Sequence, residues 1–236
     1  LTPHVREYHE EKQLTLWLAV DCTPSMRFGK RKTKLKQAVE LAGLLGLLAE
    51  RGKHKLGAVL ILGQETQILP PKSGTAHLQH IMQKLLDCAT LSMQPNQALP
   101  TDPLPDAFRQ LAHLTQKNST VLVLSDFLSL TEAWHLPLGQ LSQRAKLVHL
   151  VVQDPIEARL PAGLGMLAVQ DPETGETVQI DTNDARFRQC YKTTVHAQTA
   201  QRLDTLQQTG LTLLAPCDAE PLDILASLLP VGRSGP

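Results

Sequence analysis

Asp21, Thr23 and Ser25 stand two residues apart, in the stretch Asp21-Cys22-Thr23-Pro24-Ser25. They bring a carboxylate and two hydroxyls, all hard oxygen ligands, into five residues. That set suits a small hard cation such as Mg²⁺, with Mn²⁺ and Ca²⁺ as alternatives. Leu14 to Val20 just before it is apolar except for Thr15, as in a strand covered on both faces. The motif therefore sits on the loop leaving a strand tip.

Two further features are expected at the same edge. Thr101 lies in a loop carrying Pro95, Pro100, Pro103 and Pro105, ahead of a helix. Asp126 follows the Val- and Leu-rich run Thr120 to Leu124. In an open α/β sheet, ligands collect at the carboxyl ends of the strands. Asp21, Thr23, Ser25, Thr101 and Asp126 thus form the candidate metal set. Asp154 and Glu157 follow another buried run, Lys146 to Val152, and with Arg27 are candidates for contact with a partner. The competing expectation is structural: Asp154 and Glu157 shape a Pro-bearing turn, and the carboxylates cap helices.

The elements that must position these groups can be read in order. Leu35, Ala38, Val39, Ala42, Leu45 and Ala49 recur at helical steps, and Gly52 closes that helix. Gly57 to Leu62 predicts a second strand, with Gln64 to Leu69 as its pairing partner. Helices are expected over 76–88, 104–115, 131–144, 183–208 and 221–229, and a last strand over Leu211 to Ala215. Met166 to Gln170 and Glu176 to Ile180 flank a Pro- and Gly-bearing turn and predict a β-hairpin. The alternation implies an α/β, doubly wound, mostly parallel sheet with an inserted hairpin. The expected organisation is one domain over 1–236, with residues 1–13 as a lead-in and the hairpin at 166–180.

Composition narrows the function classes. The 236 residues are 42% hydrophobic and 19% charged, the balance of a globular chain. Acidic and basic residues number 23 each, so no global field draws nucleic acid or an anionic membrane. The local basic run Arg27, Lys30, Arg31, Lys32, Lys34 and Lys36 reads as a solvated helix start. Cys22, Cys88, Cys190 and Cys217 form no Cys-x-x-Cys pair. Reduced thiols in the cytoplasm are therefore expected. The side chain of Cys22, between ligand positions, is expected in the core. No apolar run reaches the roughly 18 residues of a membrane span.

The pattern Asp-x-Ser/Thr-x-Ser, a distant Thr and a later Asp resembles the metal-ion-dependent adhesion site of von Willebrand factor A domains. A closer resemblance covers nearly the whole chain. It rests on Val5-Arg6-Glu7-Tyr8-His9-Glu10-Glu11, Ser25-Met26-Arg27-Phe28-Gly29, Thr101-Asp102-Pro103-Leu104 and Ser125-Asp126-Phe127. Asp154-Pro155-Ile156-Glu157 and Asp171-Pro172-Glu173-Thr174-Gly175-Glu176 extend it. These are similar to the bacterial domain-of-unknown-function family fifty-eight, whose members are von Willebrand A-like and commonly encoded beside MoxR-type AAA+ ATPases. The resemblance implies an adaptor or chaperone-type role with such an ATPase. Thr23 stands where serine is more usual and keeps the hydroxyl. Pro100 stands where many relatives carry glycine.

The leading expectation is a binding module that holds Mg²⁺ and takes an acidic side chain from a protein partner. That partner would be a MoxR-type ATPase or its client. One rival is a metal-dependent hydrolase or phosphotransferase. Such enzymes often need a second acid two residues after the nucleophilic Asp, and Thr23 occupies that place. The chain also lacks a phosphate-binding Gly-x-x-x-x-Gly-Lys-Ser/Thr and a Gly-x-Ser-x-Gly elbow. The other rival is a scaffold with a decayed metal site.

Overall fold

The computed structural model describes residues 13–63, 65–90, 102–129, 132–158, 162–170 and 176–227. Among them, Thr15–Asp21 (β1), Lys55–Ile61 (β2), Thr66–Lys72 (β3), Ser119–Ser125 (β4), Ala145–Gln153 (β5) and Leu211–Pro216 form one sheet. Between β5 and that last strand, Met166–Gln170 (β6) and Thr177–Asp181 (β7) pair antiparallel as the expected hairpin, which makes Leu211–Pro216 β8. The sheet order is β3-β2-β1-β4-β5-β8. Every pairing in it is parallel except β2 with β3 at the edge. This is the doubly wound, mostly parallel sheet expected from the alternation of runs. Residues 1–12 and 171–175, part of the lead-in and the hairpin turn, lie outside the described residues.

The helices are Lys34–Arg51 (α1), Thr75–Thr90 (α2), Leu104–Leu114 (α3), His135–Arg144 (α4), Ala185–Gln207 (α5) and Pro221–Ala226 (α6). Side chains alternate across each strand, and the buried residues divide accordingly. Leu18, Val20, Leu60, Leu124 and Val152 pack with α1, α2 and α6. Trp17, Ala19, Ile61, Val123 and Val151 pack on the other face with α3, α4 and Leu206 of α5. Trp17 and Gly57 are register partners on β1 and β2. A Cβ on Gly57 would come 2.8 Å from the Trp17 ring, so only glycine admits the indole there.

The chain runs from β1 outward to β2, and later returns to the other side of β1 with β4. The strand order therefore reverses between β1 and β4. That crevice, outside the carboxyl ends of the two strands, is where such sheets hold ligands. β1 ends at Asp21 and β4 at Ser125.

Candidate metal centre

Asp21 ends β1 with 1% of its surface exposed, and Thr23 and Ser25 are buried beside it. A 3-10 turn over Pro24–Arg27 carries the chain away. Asp21 Oδ1 accepts hydrogen bonds from Thr23 N at 3.0 Å and Thr23 Oγ1 at 2.6 Å. Asp21 Oδ2 accepts from Ser125 Oγ at 2.6 Å, which joins the tips of β1 and β4. Thr23 Oγ1 lies 3.2 Å from Ser25 Oγ.

Thr23 has one hydroxyl proton; given to Asp21, it leaves the Thr23 oxygen as an acceptor, with Ser25 Oγ 3.2 Å away. An oxygen that keeps a lone pair can act as a metal ligand.

Asp126 follows β4, and the next residue, Phe127, takes φ +53°. A bulky side chain in the left-handed region costs about 1–3 kcal/mol. Burial of the Phe127 ring against Trp134 and His149, at 5.9 and 5.8 Å between centroids, offsets it. The resulting turn has Ser125 Oγ accepting from Phe127 N and Asp126 Oδ1 accepting from Leu128 N. Asp126 Oδ2 faces Lys34 Nζ at 2.6 Å.

Lys34 is the first residue of α1 and is 0% exposed. Its ammonium also meets Glu157 Oε1 at 2.5 Å and sits 5.8 Å from the Phe28 ring centroid. Gly29, at φ +154°, lets the chain turn back, and Lys34 N then donates to Phe28 O at 2.9 Å. A Cβ at Gly29 would lie 2.2 Å from Lys32 O.

The electrostatics call for positive charge. Burial, then the charge of Asp126, pushes the Asp21 carboxyl from 3.8 up to about 7. Burial alone would lower the Lys34 pKa, but Asp126 and then Glu157 outweigh it, and Lys34 ends above its usual 10.5. The crevice therefore holds two buried acids with one ammonium beside Asp126.

The residues fit a hard cation. Among the described residues, no three His, Cys, Asp or Glu side chains gather to hold a metal. What the crevice offers is two carboxylates with the hydroxyls of Thr23 and Ser25, an oxygen set of the kind Mg²⁺ accepts together with water. Thr101, the remaining candidate ligand, lies outside the described residues. Its neighbour Asp102 caps rather than coordinates. Asp102 Oδ1 accepts from Leu104 N at 3.0 Å, and Oδ2 accepts from Trp134 Nε1.

The partner-contact candidates are held by the fold. Asp154 is buried, its two oxygens accepting from Lys30 N and Ile156 N at 2.9 Å each. Arg27 donates to Cys88 O at 2.8 Å, tying the motif turn to α2. Glu157 binds Lys34, and its carbonyl accepts from Tyr191 of α5 at 2.9 Å.

A family model described as "Protein of unknown function DUF58" matches residues 1–201. This chain belongs to the DUF58 family. Uncharacterized protein Rv1480 of Mycobacterium tuberculosis is 28% identical over 214 residues, 90% of this chain and 65% of its own length. The chain thus spans just under two-thirds of that curated relative. Among solved structures it is similar to conserved hypothetical protein BatB from Bacteroides thetaiotaomicron. That likeness has a TM-score of 0.55 and 16% identity over 91% of this chain and 95% of that one. An aerotolerance-related membrane protein from Bacteroides fragilis aligns at TM-score 0.51 and 17% identity, over 82% and 99%. These likenesses concern the fold. Among the described residues of this DUF58 chain, no helix is long and apolar enough to cross a membrane.

The structure corrects the reading of the basic run. Lys34 is no part of a solvated helix start; it is enclosed in the crevice. The signal was present, because Lys34 continues the Ala38, Leu41, Leu45 stripe of α1 one turn earlier, on the buried face. Ser125 was also missed as a site residue, since one serine at a strand end has no pattern of its own. Cys22 is in the core as expected. Its hydrogen bond with Cys88 and its burial push the thiol well above its usual 9.0.

Proposed function

We propose that this DUF58 chain is a metal-ion-dependent protein-binding module. Asp21, Thr23, Ser25 and Asp126, with Thr101, would hold Mg²⁺. The bound ion would supply a Lewis-acidic docking point for a carboxylate of a protein partner. The observation that carries this reading is the gathering of the Asp21, Thr23 and Ser25 oxygens in one buried loop, with the Thr23 hydroxyl donating to Asp21 and so keeping its oxygen as an acceptor. Neutral hydroxyls leave the ion's charge unspent, and that charge attracts an outside acid.

Binding is favoured over catalysis because Thr23 stands where a metal-dependent hydrolase or phosphotransferase often carries a second acid, and a hydroxyl cannot serve as a carboxylate acid or base. The resemblance to a family commonly encoded beside MoxR-type AAA+ ATPases supports such an ATPase, or its client, as the partner. The free cysteines among the described residues accord with a role in the cytoplasm.

The test is capture from the native cell. Recovery of an AAA+ ATPase with Mg²⁺ present, lost with chelator and with Asp21→Ala, is the expected result. Capture that survives both changes contradicts the mechanism.

One observation favours a second reading. Lys34 already provides Asp126 with a cation. In a scaffold whose metal site has decayed, that ammonium would be the crevice's permanent charge, and Mg²⁺ would leave the melting temperature unchanged.

A further inference from the structure

Beside the metal centre, a cavity of about 710 Å³ opens between α5 and the Asp154–Ala158 turn. Phe127, Leu128 and Glu157 line it, so it begins where Asp126 and Lys34 end. From α5, Tyr191, Thr199 and Arg202 form its other wall.

Arg202 is the unexplained group. Its Nε is buried and has no hydrogen-bond partner among the described residues. Among the described residues its guanidinium makes one long bond, 3.4 Å, from an Nη to Thr199 Oγ1. Two of the nearby acids, Asp126 and Asp154, have both oxygens engaged, and Glu157 gives one oxygen to Lys34. Asp126 Oδ2 and Glu157 Oε1 bind Lys34, and Asp126 Oδ1 accepts from Leu128 N. The Tyr191 hydroxyl donates to Glu157 O. Burial lowers the Arg202 pKa, and the charges of Asp126 and Glu157 oppose that shift. A guanidinium is a planar fork of five N–H donors, and a carboxylate matches it with two parallel bonds.

We propose that this cavity is a carboxylate subsite, in which Arg202 binds an acidic side chain of the same partner segment whose other acid reaches the metal centre. The link to the metal rests on the docking function proposed above; the Arg202 subsite itself needs no metal. A singly charged carboxylate is favoured over a dianionic phosphate because Glu132, Asp154 and Glu157 also line the cavity. Each of those acids repels an anion, and a dianion about twice as strongly as a single carboxylate.

The test uses metal-free protein in chelator, so that it can fail independently of the metal reading. The probe is the peptide acetyl-Gly-Glu-Gly-amide, followed by the NMR signal of the Arg202 Nε–H, with inorganic phosphate as a parallel arm. The peptide should shift that signal saturably in the wild type and in Asp21→Ala. Affinity should fall about tenfold to a hundredfold in Arg202→Gln, the loss of a charge-assisted pair, and recover in part in Arg202→Lys. Mg²⁺ binding should be unchanged in Arg202→Gln. No saturable shift in the wild type, equal binding by Arg202→Gln, or a shift caused by phosphate and not by the peptide would each overturn the proposal.

Discussion

The ammonium of Lys34 lies 2.6 Å from Asp126 Oδ2, with both side chains buried at the end of β4. A lysine from the start of α1 thus enters the crevice in which a divalent ion is proposed to sit. The ammonium is shared between Asp126 and Glu157, and burial together with the charge of Asp126 leaves Asp21 with a raised pKa. The sharing makes Lys34 a structural anchor, and one that would weaken the proposed metal binding by placing a positive charge in the crevice.

Lys34→Met should therefore do two opposite things. Removing one partner of a buried ion pair costs about 3–5 kcal/mol, because the remaining charge is uncompensated. Urea denaturation in chelator reads that loss. Mg²⁺ should bind the variant about tenfold more tightly or better, since a nearby positive charge is gone. Urea midpoints measured with and without Mg²⁺ should move further apart than in the wild type. An unchanged gap would show that Lys34 does not feel the ion.

The helix carrying Lys34 was legible in the sequence, and its occupation of the crevice was not. Periodicity places α1, and runs of Val and Leu place β1, β4 and β5, because burial on both sheet faces leaves few polar residues in those strands. The placing of Asp21 and Asp126 at one sheet edge followed from the alternation of elements, while the strand order that makes β1 and β4 neighbours came from the structure. The stripe through Ala38, Leu41 and Leu45 marks the face of Lys34 as buried, but which carboxylate its long flexible side chain meets leaves no pattern. Lys34 was hidden among five other basic residues, and Arg202 lay in a helix with few buried residues.

Asp102 offers a separate check on the loop ahead of α3. Its carboxylate accepts from the buried Trp134 indole N–H and from Leu104 N. Asp102→Ala strands the indole N–H in the core, at a cost of about 1–3 kcal/mol. The urea midpoint should fall accordingly, with an altered native tryptophan emission. A variant as stable as the wild type would contradict this hydrogen bond.

His149 makes stability depend on pH. Burial lowers its pKa from 6.5 to about 4, so the folded protein holds it neutral where the unfolded chain would take a proton. The unfolded state then binds more protons between these values, so stability is full above about pH 6.5 and falls as pH drops toward 4. The loss amounts to about 3 kcal/mol. The carboxylates titrate over the same range, so the comparison is with His149→Leu. The stability difference between pH 7 and pH 4.5 should be smaller in the variant. Equal pH dependence in both proteins would place the ring in contact with water.

The central claim is that the Asp21-Thr23-Ser25 loop and Asp126 hold a hard cation. Calorimetric titration of Mg²⁺ into metal-stripped protein tests it most directly, with Thr23→Val as the partner measurement, because valine keeps the shape and removes only the oxygen. Saturable binding of one ion in the wild type, lost or greatly weakened in Thr23→Val, is the predicted result. No saturable binding in the wild type, or binding unchanged by Thr23→Val, would contradict it.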